Sequence, residues 1–225
     1  VTEDRDTAEK RVQAKERRAR EAAATEPSSG MTWPGHAAAR ASGRLPPGQR
    51  RVDGLPILDL GEQPVLDRRD WKLSVAGRVA APVTWDWDTL MAQPQSRVTA
   101  DIHCVTNWSS FDNVFEGVAV SHLLKAVGPL PQAAFVMARG FDGYSTNLPL
   151  ADLARQGALL CHGWNGAPLS REHGGPVRLL IPHLYFWKSA KWLRHLTVMD
   201  GDQPGFWEAR GYHRRGDPWA EERYG

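Results

Sequence analysis

Beyond residue 50 the apolar residues of this chain come in short bursts, each cut off by glycine, proline or an Asn-Gly pair. That punctuation restricts the fold more than any other feature, because so short a burst spans a strand or a helical turn and never a long helix. Residues 71–77 alternate apolar and polar side chains, as a half-buried strand does. Residues 97–103 run as another strand up to Cys104, and 133–138 read as a buried one. Residues 118–127, with Leu123, Leu124 and Val127 on one face, read as a short helix ended by Gly128-Pro129. A second short helix over 150–155 is closed by Gly157, and a strand starting over 158–161 runs to the Asn165-Gly166 turn. Strands over 177–181 and 192–199 complete the set. Many short strands with few, short helices predict an α+β domain of mixed β-sheets over 51–225 rather than a doubly wound parallel sheet. No Gly-x-Gly-x-x-Gly follows any of these strands, so a dinucleotide-binding fold is not supported.

The N-terminal part has a different texture. Residues 1–28 alternate charges of both signs with alanines and offer almost no apolar face, which predicts a solvated helix, a partner-docking arm or disorder. Residues 29–50 are rich in proline and glycine and read as extended chain that wraps a core or as linker. No apolar segment follows the charged start, so no secretory signal is expected and the cytoplasm is the expected compartment. A signal removed ahead of Val1 would place the chain in the periplasm instead. No apolar run is long enough for a membrane span.

The totals exclude several classes. A net charge of +2, with positive residues scattered and matched by acids, argues against a nucleic-acid surface. Two cysteines, Cys104 and Cys161, are too few for a disulfide scaffold, and no Cys-x-x-Cys pair suggests zinc, haem or an iron–sulfur cluster. Ten tryptophans are unusual for this length. They suit either the wall of a deep, partly polar pocket or a Trp-rich core.

Three segments carry chemistry. Cys104 ends a strand and faces a turn of small and polar residues, where it is well placed to project a thiolate into a cavity. Taken alone, such a cysteine is more often a small buried apolar residue. In Glu172-His173-Gly174-Gly175-Pro176-Val177-Arg178 the glycines let backbone approach a ligand, and His173 and Arg178 flank the turn so as to converge on one anion. The bland reading is a surface turn before a core strand. In the segment from Tyr185 to Trp192, Ser189 and Ala190 expose backbone N–H groups and Lys191 adds a point charge for phosphate. Read alone, it is an aromatic strand with solvated lysines.

Together these motifs resemble a known family. Cys104-Val105-Thr106-x-Trp108-Ser109, Gly117-Val118, Tyr144-Ser145-Thr146-x-Leu148-Pro149-Leu150, His173-Gly174-Gly175-Pro176-Val177-Arg178 and Lys188-Ser189-x-Lys191-Trp192 occur in that order. They are similar to the molybdopterin-binding domain of the sulfite oxidase family, over a stretch from about residue 45 to the C-terminus. The resemblance implies the sulfite oxidase-type fold and a mononuclear molybdenum held by one pyranopterin dithiolene, with Cys104 as the protein's metal ligand. It implies that His173, Arg178, Ser189, Ala190 and Lys191 bind the cofactor, with Arg178 on its phosphate, and that residues 51–54 add contacts to the pterin. The segment from Gly205 to Tyr212 resembles the stretch that carries an active-site tyrosine, which makes Tyr212 and Arg210 the catalytic candidates. The implied activity is two-electron oxygen-atom transfer on sulfite or a sulfur oxide. Where the animal and plant enzymes follow their cysteine with sulfite-binding arginines, this chain has Asn107, Trp108 and Ser109. That departure leaves two alternatives open: reduction of an S-oxide or N-oxide, and a non-catalytic carrier of the cofactor. As no second redox motif is present, a separate redox partner protein is expected.

Overall fold

The computed structural model describes residues 41–61 and 63–225, together with Gln13 and Arg17. Apart from those two residues the charged arm expected over 1–28 lies outside the described residues, as do residues 29–40 of the segment over 29–50. Two mixed sheets build the domain. The larger contains β1 (Arg50–Arg51), β4 (Gln95–His103), β5 (Trp108–Ala119), β8 (Leu159–Trp164), β9 (Ala167–Pro168) and β10 (Arg178–Leu180). In it β5 pairs antiparallel with β4 and β8 and, through its first two residues, parallel with β1. The other sheet runs in the order β3 (Val83–Asp86), β2 (Lys72–Gly77), β11 (Leu193–Met199), β6 (Phe135–Gly140), β7 (Ser145–Pro149), with only β2 and β11 parallel. The helices are short: α1 (Trp87–Met91), α2 (Val120–Val127) and α3 (Leu150–Leu153). The fold is therefore the expected α+β arrangement, and no helix among the described residues is long and apolar enough to cross a membrane.

One hydrophobic cluster joins the two sheets. Leu73, Val75, Leu196 and Val198 come from the five-stranded sheet, and Phe115, Val118, Leu159 and Leu179 from the six-stranded one. The helix α2 fits between strand segments because Val120, Leu123, Leu124 and Val127 fall on one face, and Gly128 ends it in the left-handed region at φ 59°. Its start is later than the sequence suggested, because β5 continues through Ala119. Residues 41–49 pack on the domain as well, with Leu45 and Gln49 buried.

Strand β5 is the element that local pattern hides. It places Ser109, Ser110 and Asn113 in the interior beside Phe115 and Val118, so it shows no alternation of apolar and polar residues. Its partners on both sides hold it extended. At Gly117 the chains come so close that a Cβ would lie 2.2 Å from the Leu160 carbonyl oxygen of β8. Gly117→Ala should cost about 1–3 kcal/mol through overpacking. Gly201→Ala, where a Cβ meets nothing within 4 Å, should stay within about 0.5 kcal/mol. Thermal melts of the two variants beside wild type test this pair.

Candidate active site

The connection from β4 to β5 is a tight turn. The Cys104 N–H donates to the Trp108 carbonyl at 2.9 Å, the Asn107 N–H donates to the Cys104 carbonyl at 3.1 Å, and Asn107 takes φ 65°. This turn raises Cys104, Val105, Thr106 and Trp108 into the wall of a cavity. The Thr106 hydroxyl donates to the Cys104 sulfur at 3.2 Å. Burial pushes the Cys104 thiol above its ordinary range, opposed by that hydrogen bond and by the charge of Arg223.

The fold brings most of the sequence-predicted residues to the same cavity: Cys104, His173, Arg178, Ser189, Lys191 and Tyr212. Two stay away from it. Ala190 lies behind the wall, where its carbonyl accepts the Leu179 N–H at 2.9 Å. Arg210 turns back on its own segment, with its guanidinium 3.7 Å above the Phe206 ring and a bond to the Phe206 carbonyl at 2.8 Å. The loop expected at 51–54 is displaced along the chain, and Pro56, Leu58, Asp59 and Leu60 line the cavity instead.

Arg178 is the most informative cation. It is buried, donates to the His173 carbonyl at 3.0 Å and the Ser189 carbonyl at 2.7 Å, and stacks 4.2 Å over Phe186. No carboxylate pairs with it among the described residues, and burial pulls it down to about 10. A buried guanidinium without an anion is costly, and its fork has five N–H donors of which the carbonyls use only some. It therefore suits a phosphate-sized anion. His173 does not converge on the same anion through its ring nitrogens. Nε2 donates to the Leu55 carbonyl at 3.0 Å and Nδ1 accepts from Ser170 Oγ at 2.9 Å, so the ring pins the 56–60 loop. Lys191 donates to the Glu172 carbonyl at 2.5 Å. The paired glycines admit neighbouring chain. A Cβ on Gly174 would press on Lys191 at 2.9 Å, and one on Gly175 would meet the Leu169 carbonyl at 2.3 Å.

The aromatic segment before Ser189 is a 3₁₀ turn, Phe186–Lys188, and Lys188 is not solvated but fully buried. Its Nζ donates to Glu208 Oε1 at 2.6 Å, the Asn147 carbonyl at 2.9 Å and the Arg214 carbonyl at 2.5 Å. Thr146 and the Trp187 indole donate to the same Glu208 oxygen. Burial lowers the Lys188 ammonium from its ordinary range, and the Glu208 charge opposes the shift. This cluster fixes Trp187, Trp207 and Tyr212 against one another, with ring centroids 4.9–5.2 Å apart at the two contacts made by Tyr212. Asp142, Tyr144 and Trp207 also line the cavity and carried no role in the sequence reading. Asp142 sits in an Asp-Gly turn, which sequence logic assigns to turn chemistry. Burial pushes its carboxyl up to about 6.

The model of the oxidoreductase molybdopterin binding domain matches residues 60–207. The chain belongs to this family, that of sulfite oxidase-type molybdopterin enzymes. Over 184 residues it is 44% identical to the uncharacterized oxidoreductase YuiH of Bacillus subtilis, covering 81% of this chain and 93% of that protein. It is 29% identical over 153 residues to the protein-methionine-sulfoxide reductase catalytic subunit MsrP of Ralstonia nicotianae, covering 61% of this chain and 46% of that one. The crystal structure of the sulfane dehydrogenase SoxCD from Paracoccus pantotrophus matches with a TM-score of 0.59 at 22% identity. That match covers 70% of this chain and 46% of the other, and shows the fold. The chain thus spans nearly all of the first relative and about half of the other two. It is an oxidoreductase whose cofactor is molybdenum carried by molybdopterin.

The cavity suits that group. It offers a soft sulfur donor in Cys104, a buried guanidinium lacking a counter-anion in Arg178, and the buried Trp108 indole N–H, which has no hydrogen-bond partner among the described residues. The wall that faces them depends on the Lys188–Glu208 pair. Lys188→Met leaves Glu208 buried and unpaired and should destabilise the fold by about 3–5 kcal/mol. Lys188→Met with Glu208→Gln should recover part of that loss in denaturant titrations.

Proposed function

We propose that Cys104 is the molybdenum ligand and that the enzyme removes the oxygen atom of an uncharged S-oxide or N-oxide, taking electrons from a separate partner protein. The observation that carries this reading is the placement of positive charge. Among the described residues that line the cavity, the basic side chains are His173, Arg178 and Lys191, and backbone carbonyls engage all three. Arg210 lies against Phe206, and the positions after Cys104 are Asn107, Trp108 and Ser109. Ser109 is buried and bonded to His103 and Gln49. Among the described residues that line the cavity, an oxyanion such as sulfite finds no guanidinium beyond the one we assign to the cofactor's phosphate. An uncharged oxide meets Val105, Thr106, Trp108, Trp207 and Tyr212, a wall with apolar bulk and hydroxyl or indole donors. The relative named as a methionine-sulfoxide reductase supports the same direction.

When bound, the cofactor supplies the two-electron exchange of an oxygen atom. The chain's residues supply the rest. Arg178 anchors the anionic end of the cofactor, with Ser189 and Lys191 on the same wall. The aromatic wall excludes water, and the Tyr212 hydroxyl donates a hydrogen bond to the departing oxygen. The net reaction consumes two electrons and two protons and releases the reduced substrate and water.

Protein made in a host that synthesises the cofactor should hold molybdenum in equal amount to the chain, and Cys104→Ser should lose it. With reduced viologen as donor, methyl sulfoxides or amine N-oxides should turn over, whereas sulfite with ferricyanide should not. Tyr212→Phe should lower kcat on the order of 100-fold with little change in KM. Rapid sulfite oxidation alongside inert oxides would refute the proposed direction, and a metal-free wild type would remove its basis.

A further inference from the structure

The backbone around Cys104 is gripped from behind the cavity. Gln49 Nε2 donates to the Cys104 carbonyl at 3.0 Å, and Arg223 Nη1 donates to the next carbonyl, that of Val105, at 2.7 Å. Arg223 is buried, 118 residues along the chain from Val105, and its other terminal nitrogen reaches the Pro47 carbonyl at 3.3 Å. Its guanidinium lies 5.1 Å from the centre of the Tyr185 ring, and no carboxylate pairs with it among the described residues. Its own backbone is held in turn, with its carbonyl accepting the His213 N–H at 3.1 Å. A cation that could pair with Glu221 or Glu222 on its own segment instead points inward, at the loop that carries the cysteine.

We propose that Arg223 is a positioning residue for Cys104. Together with Gln49 it pins two successive carbonyls of the hairpin turn, which fixes the direction of the sulfur, and it keeps a positive charge one peptide away from it. The inference rests on the reading of Cys104 as the molybdenum ligand. Groups that orient a metal ligand from outside typically change affinity or activity by about 10–100-fold when removed. A positive charge near the centre favours its more electron-rich state, so Arg223 holds the reduction potential higher than the bare ligand set would.

The test compares wild type, Arg223→Gln and Arg223→Lys as holoenzymes, by molybdenum content, by the metal's reduction potential in a dye-mediated titration followed by electron paramagnetic resonance, and by steady-state kinetics with an S-oxide. Amide hydrogen exchange over residues 104–108 is followed in the metal-free proteins. Arg223→Gln should keep its molybdenum, shift the potential to more negative values, lower kcat about 10–100-fold with KM little changed, and exchange faster over 104–108. Arg223→Lys keeps the charge and loses the fork, so its potential should lie nearer to wild type while its exchange remains fast. A wild-type potential in Arg223→Gln overturns the proposal, even if that variant melts at a lower temperature. If Arg223→Gln does not fold, unchanged exchange in Arg223→Lys overturns it. Retention of molybdenum by Cys104→Ser would instead refute the ligand reading, with the exchange data left standing.

Discussion

A lysine with no exposed surface, Lys188, holds its ammonium among carbonyls from two distant segments and a single carboxylate. The arrangement answers a strict physical demand, because a buried charge is tolerated only when its hydrogens and its counter-charge are both supplied. Supplying them requires β7, the 3₁₀ turn that carries Trp187, and the C-terminal segment that carries Glu208 and Arg214 to meet at one point. Once they meet, Tyr212 packs edge-on to Trp187 and at a tilt against Trp207, and the three rings line the cavity. The aromatic wall is thus a consequence of charge satisfaction as much as of apolar packing.

The cavity applies the same demand in the opposite sense. Arg178 is buried with carbonyl partners and no carboxylate, and the Trp108 indole N–H is buried with no partner among the described residues. Polar groups left in this condition are uncommon in folded proteins unless a ligand completes them. An anionic, hydrogen-bonding cofactor with sulfur donors, the kind of group the family carries, would complete them. Two buried cations among the described residues are therefore treated differently. Lys188 is neutralised internally by Glu208, whereas Arg178 keeps its charge among carbonyls, with no carboxylate among the described residues.

Several parts of this architecture were legible from local pattern. The strands at β2, β4 and β11 and the helix α2 follow from alternation, from a one-sided apolar face and from the glycine and proline that end them. Cys104, His173, Arg178, Ser189, Lys191 and Tyr212 were legible as motif residues and do share one cavity. What was not legible has physical causes. β5 buries serine and asparagine between two partner strands, so its extended state comes from pairing that no local window contains. The cavity loop lies at 56–60 rather than 51–54, because its place is set by the His173 ring bonding to the Leu55 carbonyl. Arg210 is drawn onto Phe206 by a contact four residues away on its own turn, and the paired glycines admit neighbouring chain.

By itself the sequence determined the class of fold, the family and its cofactor, because short-range periodicity and motif order are properties of consecutive residues. The tertiary structure alone decided which charges are spent internally and which face the cavity. It assigned Lys188 to Glu208, turned His173 into a clamp, and brought Arg223 from the far end of the chain to the carbonyl beside Cys104. Those outcomes depend on distances between segments remote in sequence, where burial makes a missing partner costly, and no pattern of neighbouring residues encodes them.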